Sequence, residues 1–241
     1  MEDRAEFEMG EGPAVKGERH AVKRKAGVLL WGGAGQAKVL RPIIEGAGHR
    51  VRVVYDRDPD LAPPFAGVPV ISSEVELKAW LEERRDEVSA FAVAVAADGQ
   101  ERCAIARRLV LDGLSPVTAI HPKSWVADTA RLGEGCQILA MAAIAEEAVL
   151  GRHCIINTNA SVDHECRLGD GVHLMPGATL AGCIRVGDFV TIGANATVLP
   201  RMSIGAGAMV GAGAVVTRDV PENVVVAGVP ARPPRQQVVA V

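Results

Sequence analysis

Apolar residues along this chain follow two different rhythms, and the change comes at Ile120. Before it, short apolar runs alternate with amphipathic stretches. AGVLLWG, starting at Ala26, predicts a buried strand. GGAGQAK follows and opens an amphipathic helix that runs to about Ala47. VRVVYD predicts a second strand, and a proline-rich turn, RDPDLAPPFAG, leads into VPVIS. Ser73, with Glu76 three residues on, has the form of a capping box and starts a helix. AFAVAVA predicts another strand, GQERCAIARRLVLDG another helix and VTAI a last short strand. Strands alternating with helices imply a parallel sheet covered on both faces.

After Ile120 the rhythm is six. Stepping from Ile120 through Val126, Leu132, Ile138 and onward to Val216 meets only Leu, Ile or Val, with no gap or insertion. The residue two before each is nearly always small or aliphatic, as at Ala130, Cys136, Ala142 and Ala148. A second period of 18 lies on top, with glycine after the aliphatic at Gly133, Gly151, Gly169, Gly187 and Gly205. A helix is excluded, because this spacing would scatter the aliphatics around its circumference. The pattern predicts a triangular coil. Each short unit forms one flat side, the aliphatic points inward and the small residue lets the chain turn. Successive turns stack through parallel-strand hydrogen bonds about 4.8 Å apart. The periodic glycines supply either φ > 0 or close backbone approach.

Composition narrows the function classes. The 241-residue chain is 49% hydrophobic but only 3% aromatic, so its core is built from small aliphatics. A net charge of −3 gives no electrostatic case for nucleic acid or an anionic membrane. No apolar run is long enough for a spanning helix. The first 25 residues, mixed in charge and without an apolar centre, read as a disordered tail and not a signal peptide. An odd number of cysteines with no CxxC pair argues for reduced thiols and a cytoplasmic protein. Cys136, Cys154 and Cys166 fall in the small inward slots and read as core filler.

Chemistry concentrates in SVDHECRLGDG, Ser161 to Gly171. Val162 and Leu168 keep the repeat running straight through it, so it reads as part of the coil and not as a loop tip. His164 then lies on an outward flat side. It reads either as a solvated histidine or as a base beside an orienting carboxylate, Glu165 or Asp163. Gly182 lies 18 residues further, one turn along. Its backbone N–H is expected to be accessible. His173 is also expected outward, His153 at the surface, and His121 in a structural role where the two halves join.

The repeat, with the segment GANATVLPRMSIGAGAMVGAGAVVTRDVPENVVVAGVPAR, resembles the hexapeptide-repeat acyltransferases, which fold as left-handed parallel β-helices. Together with GGAGQAKV in the αβ half, it is similar to sugar O-/N-acetyltransferases of the sialic acid O-acetyltransferase type. These include bacterial nucleotide-amino-sugar N-acetyltransferases. The resemblance implies a Rossmann-like nucleotide-sugar domain over 26–119 and an acetyltransferase β-helix over 120–241. It implies a homotrimer with active sites between subunits. It implies direct transfer from acetyl-CoA, with His164 as general base, Glu165 as orienter and the Gly182 amide facing the thioester. His173 would contact the acetyl-CoA region, and Gly193, Gly211 and Ala212 the pantetheine arm. Arg218 or Arg232 would meet its phosphates. The acceptor, a nucleotide-linked amino sugar of a bacterial surface glycan, would bind at Gly32, Gly33, Ala34, Gly35, Gln36 and Asp56. Many relatives carry a histidine where Gln36 stands. Family members with their histidine on a loop that interrupts the coil are excluded by the unbroken register. Two alternatives remain: O-acetylation of sialic acid or another sugar hydroxyl, and a non-catalytic sugar-nucleotide scaffold. Three outward histidines, His153, His164 and His173, raise a zinc site of the carbonic-anhydrase kind. The αβ half does not belong to that type, so no metal is expected.

Overall fold

A computed structural model describes residues 26–234. The reading of a tail over the first 25 residues lies outside the described residues. In the αβ half, β1 (Gly27–Trp31), β2 (Arg50–Tyr55), β3 (Val70–Ile71), β4 (Ala90–Val93) and β5 (Ser115–Pro116) form one sheet. Its order is β3-β2-β1-β4-β5, all parallel. Alternate residues of β1 go to opposite layers. Val28 and Leu30 pack with Leu40 and Ile44 of α1 (Gly35–Gly46). Leu29 and Trp31 pack with Leu77 of α2 (Glu74–Glu83) and Ile105 of α3 (Gly99–Leu111). The expected cap is present: the Glu76 N–H donates to Ser73 Oγ at 3.4 Å.

The expected final strand VTAI is corrected. Pro116 ends the sheet in β5, whereas Ala119–Ile120 pairs with Gln137–Ile138 and begins the coil. The coil has three parallel faces. The first starts at Ala119–Ile120, the second at Trp125–Val126 and the third at Arg131–Leu132. Partners stack 18 residues apart, as Ser161 does on Thr179 and Arg167 on Arg185. From Ile138 to Val216 the expected inward aliphatics are buried. Ile120, at the open end, is exposed.

Corner geometry resolves the glycine alternative. A Cβ on Gly133 would lie 2.5 Å from the Gly151 carbonyl carbon, so these glycines serve close stacking of turns. Positive φ falls two residues later, at Gly135, His153, Gly171, Phe189 and Gly207. The other corners repeat it at residues such as Met141, Glu147 and Glu165. One left-handed residue per corner costs about 1–2 kcal/mol. The stacked backbone hydrogen bonds hold it in place, as where the Glu165 N–H donates to the Glu146 carbonyl at 2.9 Å.

The αβ half lies on the first face and the corner before it. Gln137 donates to the Val93 carbonyl at 2.7 Å and accepts from Gln36 Nε2 at 2.7 Å. The fully buried Arg102 of α3 donates to the coil carbonyls of His153 and Gly171, each at 2.8 Å. This packing corrects two expectations. His153 is buried, not at the surface, with its ring stacked toward Phe91 at 6.5 Å. His173 does point away from the coil axis, but the αβ half covers it to 5% exposure. Its Nε2 meets Asn157 Nδ2 at 3.3 Å.

Burial pushes both imidazoles down to about 4, with the Arg102 charge adding to it. Both stay neutral in the fold, while the unfolded chain binds protons below about 6.5. Stability is therefore unaffected near neutral pH and is lost as pH falls from about 6.5 towards 4. The loss is on the order of 3 kcal/mol per histidine. Denaturant midpoints across that window check this. A His153→Phe, His173→Gln double variant is expected to flatten most of the slope.

Candidate active site

The second face ends at Val162, and the chain turns over Asp163, His164 and Glu165 into the third face at Arg167. His164 is thus on a corner and not on a flat side. Neighbouring residues of an extended strand point to opposite sides, so His164 and Glu165 cannot meet there. Glu165 adopts φ +57, which folds its side chain back, and Oε2 reaches His164 Nδ1 at 3.0 Å. Asp163 is engaged elsewhere, its Oδ1 accepting the His164 backbone N–H at 2.7 Å. Glu165, not Asp163, is the carboxylate that meets the imidazole ring. With Nδ1–H donating to Glu165, His164 presents the Nε2 lone pair outward. The hydrogen bond from His164 is the main reason the Glu165 carboxyl sits below the usual carboxylate range.

Gly182 stacks one turn beneath. A Cβ there would lie 2.5 Å from His164 Nε2, so only glycine seats the ring in this position. The expectation of an open glycine is corrected in part, since the imidazole sits over the Cα side of Gly182 and the residue is buried. Its N–H has no hydrogen-bond partner among the described residues. Gly182→Ala should displace the imidazole and lower kcat by roughly tenfold to a hundredfold with the fold intact. Steady-state kinetics beside a circular dichroism spectrum check this.

Sequence reasoning missed the surroundings of the dyad. Cys183 has φ +62, and its thiol donates to Glu165 Oε2 at 3.5 Å. Glu147, Glu165, Arg167, Cys183, Arg185 and Arg201 line a cavity of about 310 Å³. The 18-residue step that places Gly182 under His164 also finds Glu147, Cys183 and Arg201 from Glu165.

The other expected site residues fall elsewhere. Gly193 is buried, and a Cβ there would lie 2.5 Å from Ala212 N, so it serves turn stacking and not a ligand surface. Gly211 is half-buried against Ala227, while Ala212, Arg218 and Arg232 are exposed. His121 holds its own turn, its Nδ1 accepting from the Lys123 N–H at 3.0 Å.

At the carboxyl end of β1, Gly32 turns with φ +98. Ala34 precedes α1 without a side-chain cap, which leaves helix N–H groups for an anion. Asp56 supports this loop, its Oδ2 accepting the Gly33 N–H at 2.7 Å and its Oδ1 the Asp58 N–H at 3.0 Å. Gln36 is tied to Gln137. The loop adjoins the point between β1 and β4 where strand order reverses. A cavity of about 840 Å³ around Arg41, His49 and Glu87 lies at the opposite end of the strands. The αβ half covers the first face, and His164 stands on the corner between the other two. Within one chain the loop and the dyad are on opposite sides of the coil.

Residues 165–200 match the family described as bacterial transferase hexapeptide (six repeats). A perosamine N-acetyltransferase from Caulobacter crescentus is 40% identical over 87% of this chain and 97% of its own, with a TM-score of 0.80. This chain belongs to the hexapeptide-repeat sugar acetyltransferases. The Caulobacter enzyme was crystallised with CoA and GDP-perosamine, as were variants with one histidine replaced by asparagine or alanine. The acetyltransferase domain of PglB from Neisseria gonorrhoeae FA1090 is 32% identical over 86% of this chain and 98% of its own, with a TM-score of 0.78. WeeI from Acinetobacter baumannii AYE is 26% identical over 87% of this chain and 100% of its own, with a TM-score of 0.76. A search of curated protein sequences finds no match. Among the described residues, no helix of this acetyltransferase is long and apolar enough to cross a membrane.

Proposed function

We propose that this acetyltransferase moves an acetyl group from acetyl-CoA to the amino group of a nucleotide-linked amino-deoxy sugar. The observation that carries the reading is the His164–Glu165 dyad seated on Gly182. The Caulobacter relative's complex with CoA and GDP-perosamine supports the two ligand classes. The neutral amine attacks the thioester carbonyl while His164 Nε2 takes the proton it sheds, and Glu165 stabilises the resulting imidazolium. The Gly182 N–H receives the oxyanion. Collapse expels CoA thiolate, which takes up a proton, so no covalent enzyme intermediate is needed.

The nucleotide end of the acceptor lies on the Gly32–Gly35 loop, in a Rossmann-like unit over 26–119. The acetyl-CoA lies along the left-handed β-helix that begins at residue 120, with Ala212 and Gly211 beside the pantetheine arm. His173, buried beside Asn157 in the wall between these units, does not touch acetyl-CoA directly. The loop and the dyad of one chain face away from each other. The working unit of this reading is a cytoplasmic homotrimer, as the family resemblance implies, in which His164 of one subunit serves the loop of the next.

The test is CoA release with UDP-, GDP- and dTDP-linked amino sugars and with free sialic acid. Turnover with one nucleotide amino sugar supports the reading. Turnover with a sugar hydroxyl alone overturns the amine assignment, and no turnover with no CoA binding overturns the enzyme. Shared sites have their own test. His164→Ala and Gly35→Asp, each inactive alone, should regain activity when co-expressed, and no recovery would place both halves of a site in one chain.

A further inference from the structure

We propose that the His164–Glu165 corner is also an inhibitory site for zinc and similar thiophilic divalent cations, with Cys183 as its third ligand. His164 Nδ1 and Glu165 Oε2 are 3.0 Å apart, and Cys183 Sγ is 3.5 Å from the same oxygen. One ligand atom from each of the three residues lies within 4.8 Å of the others. A nitrogen, a carboxylate oxygen and a thiolate are a zinc donor set, and three protein ligands leave a fourth position open to water. The register of the coil creates the cluster. Glu165 and Cys183 occupy the same left-handed corner position in successive turns, and that conformation turns both side chains towards His164.

The consequence follows from which nitrogen is taken. Zinc on Nδ1 displaces the hydrogen bond to Glu165. The imidazole proton moves to Nε2, and the thiol proton leaves to solvent. Nε2 then carries a hydrogen and no lone pair, so it cannot accept the amine's proton. Glu165 and Cys183 thiolate neutralise the ion. Arg201, Arg185 and Arg167 around the adjoining cavity oppose it, which limits affinity and makes the site reversible. The metal is an inhibitor here and not a cofactor.

The loss of rate rests on the function proposed above, but the binding does not, so the two are tested apart. Cobalt(II) added to the purified, metal-free enzyme should give thiolate-to-cobalt charge-transfer absorption. The band should be absent in Cys183→Ala and abolished by zinc. No band in the wild type would overturn the site whatever the protein's activity. Inhibition is read as acetylated product in buffered zinc, each variant scaled to its own metal-free rate. The Cys183→Ala variant should need at least about tenfold more zinc, and excess chelator should restore the wild type. Equal zinc sensitivity of the two proteins would overturn the proposal. A cobalt band without inhibition would overturn its inhibitory part and leave the metal site standing.

Discussion

On the proposed mechanism, replacing His164 with alanine should lower kcat by about a hundredfold to ten-thousandfold, the usual range for removing a positioned general base. The side chain is about half exposed at a corner, and no buried group depends on it. The variant should therefore fold, assemble and melt like the wild type. Its loss should fall on kcat more than on KM for acetyl-CoA, because Nε2 acts on the amine as it attacks. Glu165→Gln should be milder, since an amide oxygen still accepts from Nδ1 but no longer stabilises the imidazolium. Single-turnover formation of acetylated sugar measures both variants. Near wild-type kcat in an intact His164→Ala oligomer would remove the histidine from the mechanism.

The coil was legible in the sequence because its period is a direct record of which residue faces inward. Ile138, Ile144 and Leu150 have to be aliphatic, and nothing else about the fold intervenes. The same period cannot report what lies outside the coil. His153 and His173 both project outward in register, but a distant segment covers them, and no local pattern shows that. Nor does the period give the backbone angle at a corner. Met141, Glu147 and Phe189 take positive φ although none of them favours it, because stacking on adjacent turns sets it. The pairing of His164 with Glu165 was therefore readable as a need, while the left-handed Glu165 that satisfies it was not. The Gly32–Gly35 loop was readable from its glycines. The use of Asp56 to brace that loop and of Gln36 to reach Gln137 depends on contacts 23 and 101 residues apart.

Arg102 carries the largest expected effect on stability. In the sequence it is one basic residue among several in a helix. In the fold it is the largest fully buried side chain and faces only carbonyls. Nε donates to His153 and Nη2 to Gly171, both on the coil, while Nη1 donates to Val95 at 3.0 Å in its own half. The Ala96 and Asp98 carbonyls complete the shell at 3.3 and 3.4 Å. One planar fork thus joins the carboxyl end of β4 and the start of α3 to two successive coil turns. Lysine cannot copy this, because a single ammonium lacks donors fixed in several directions. Arg102→Met keeps much of the volume and strands the carbonyls, at a cost of about 3–5 kcal/mol. That corresponds to a melting shift of roughly 6–20 °C for a chain of this size. Calorimetry should also show the αβ half melting before the coil, since the repeat keeps its own core without it. Because the αβ half also holds the acceptor loop, the variant should lose acceptor affinity at temperatures where the coil is still folded. A single transition at the wild-type temperature would mean that Gln137 and the apolar contacts hold the two halves together by themselves.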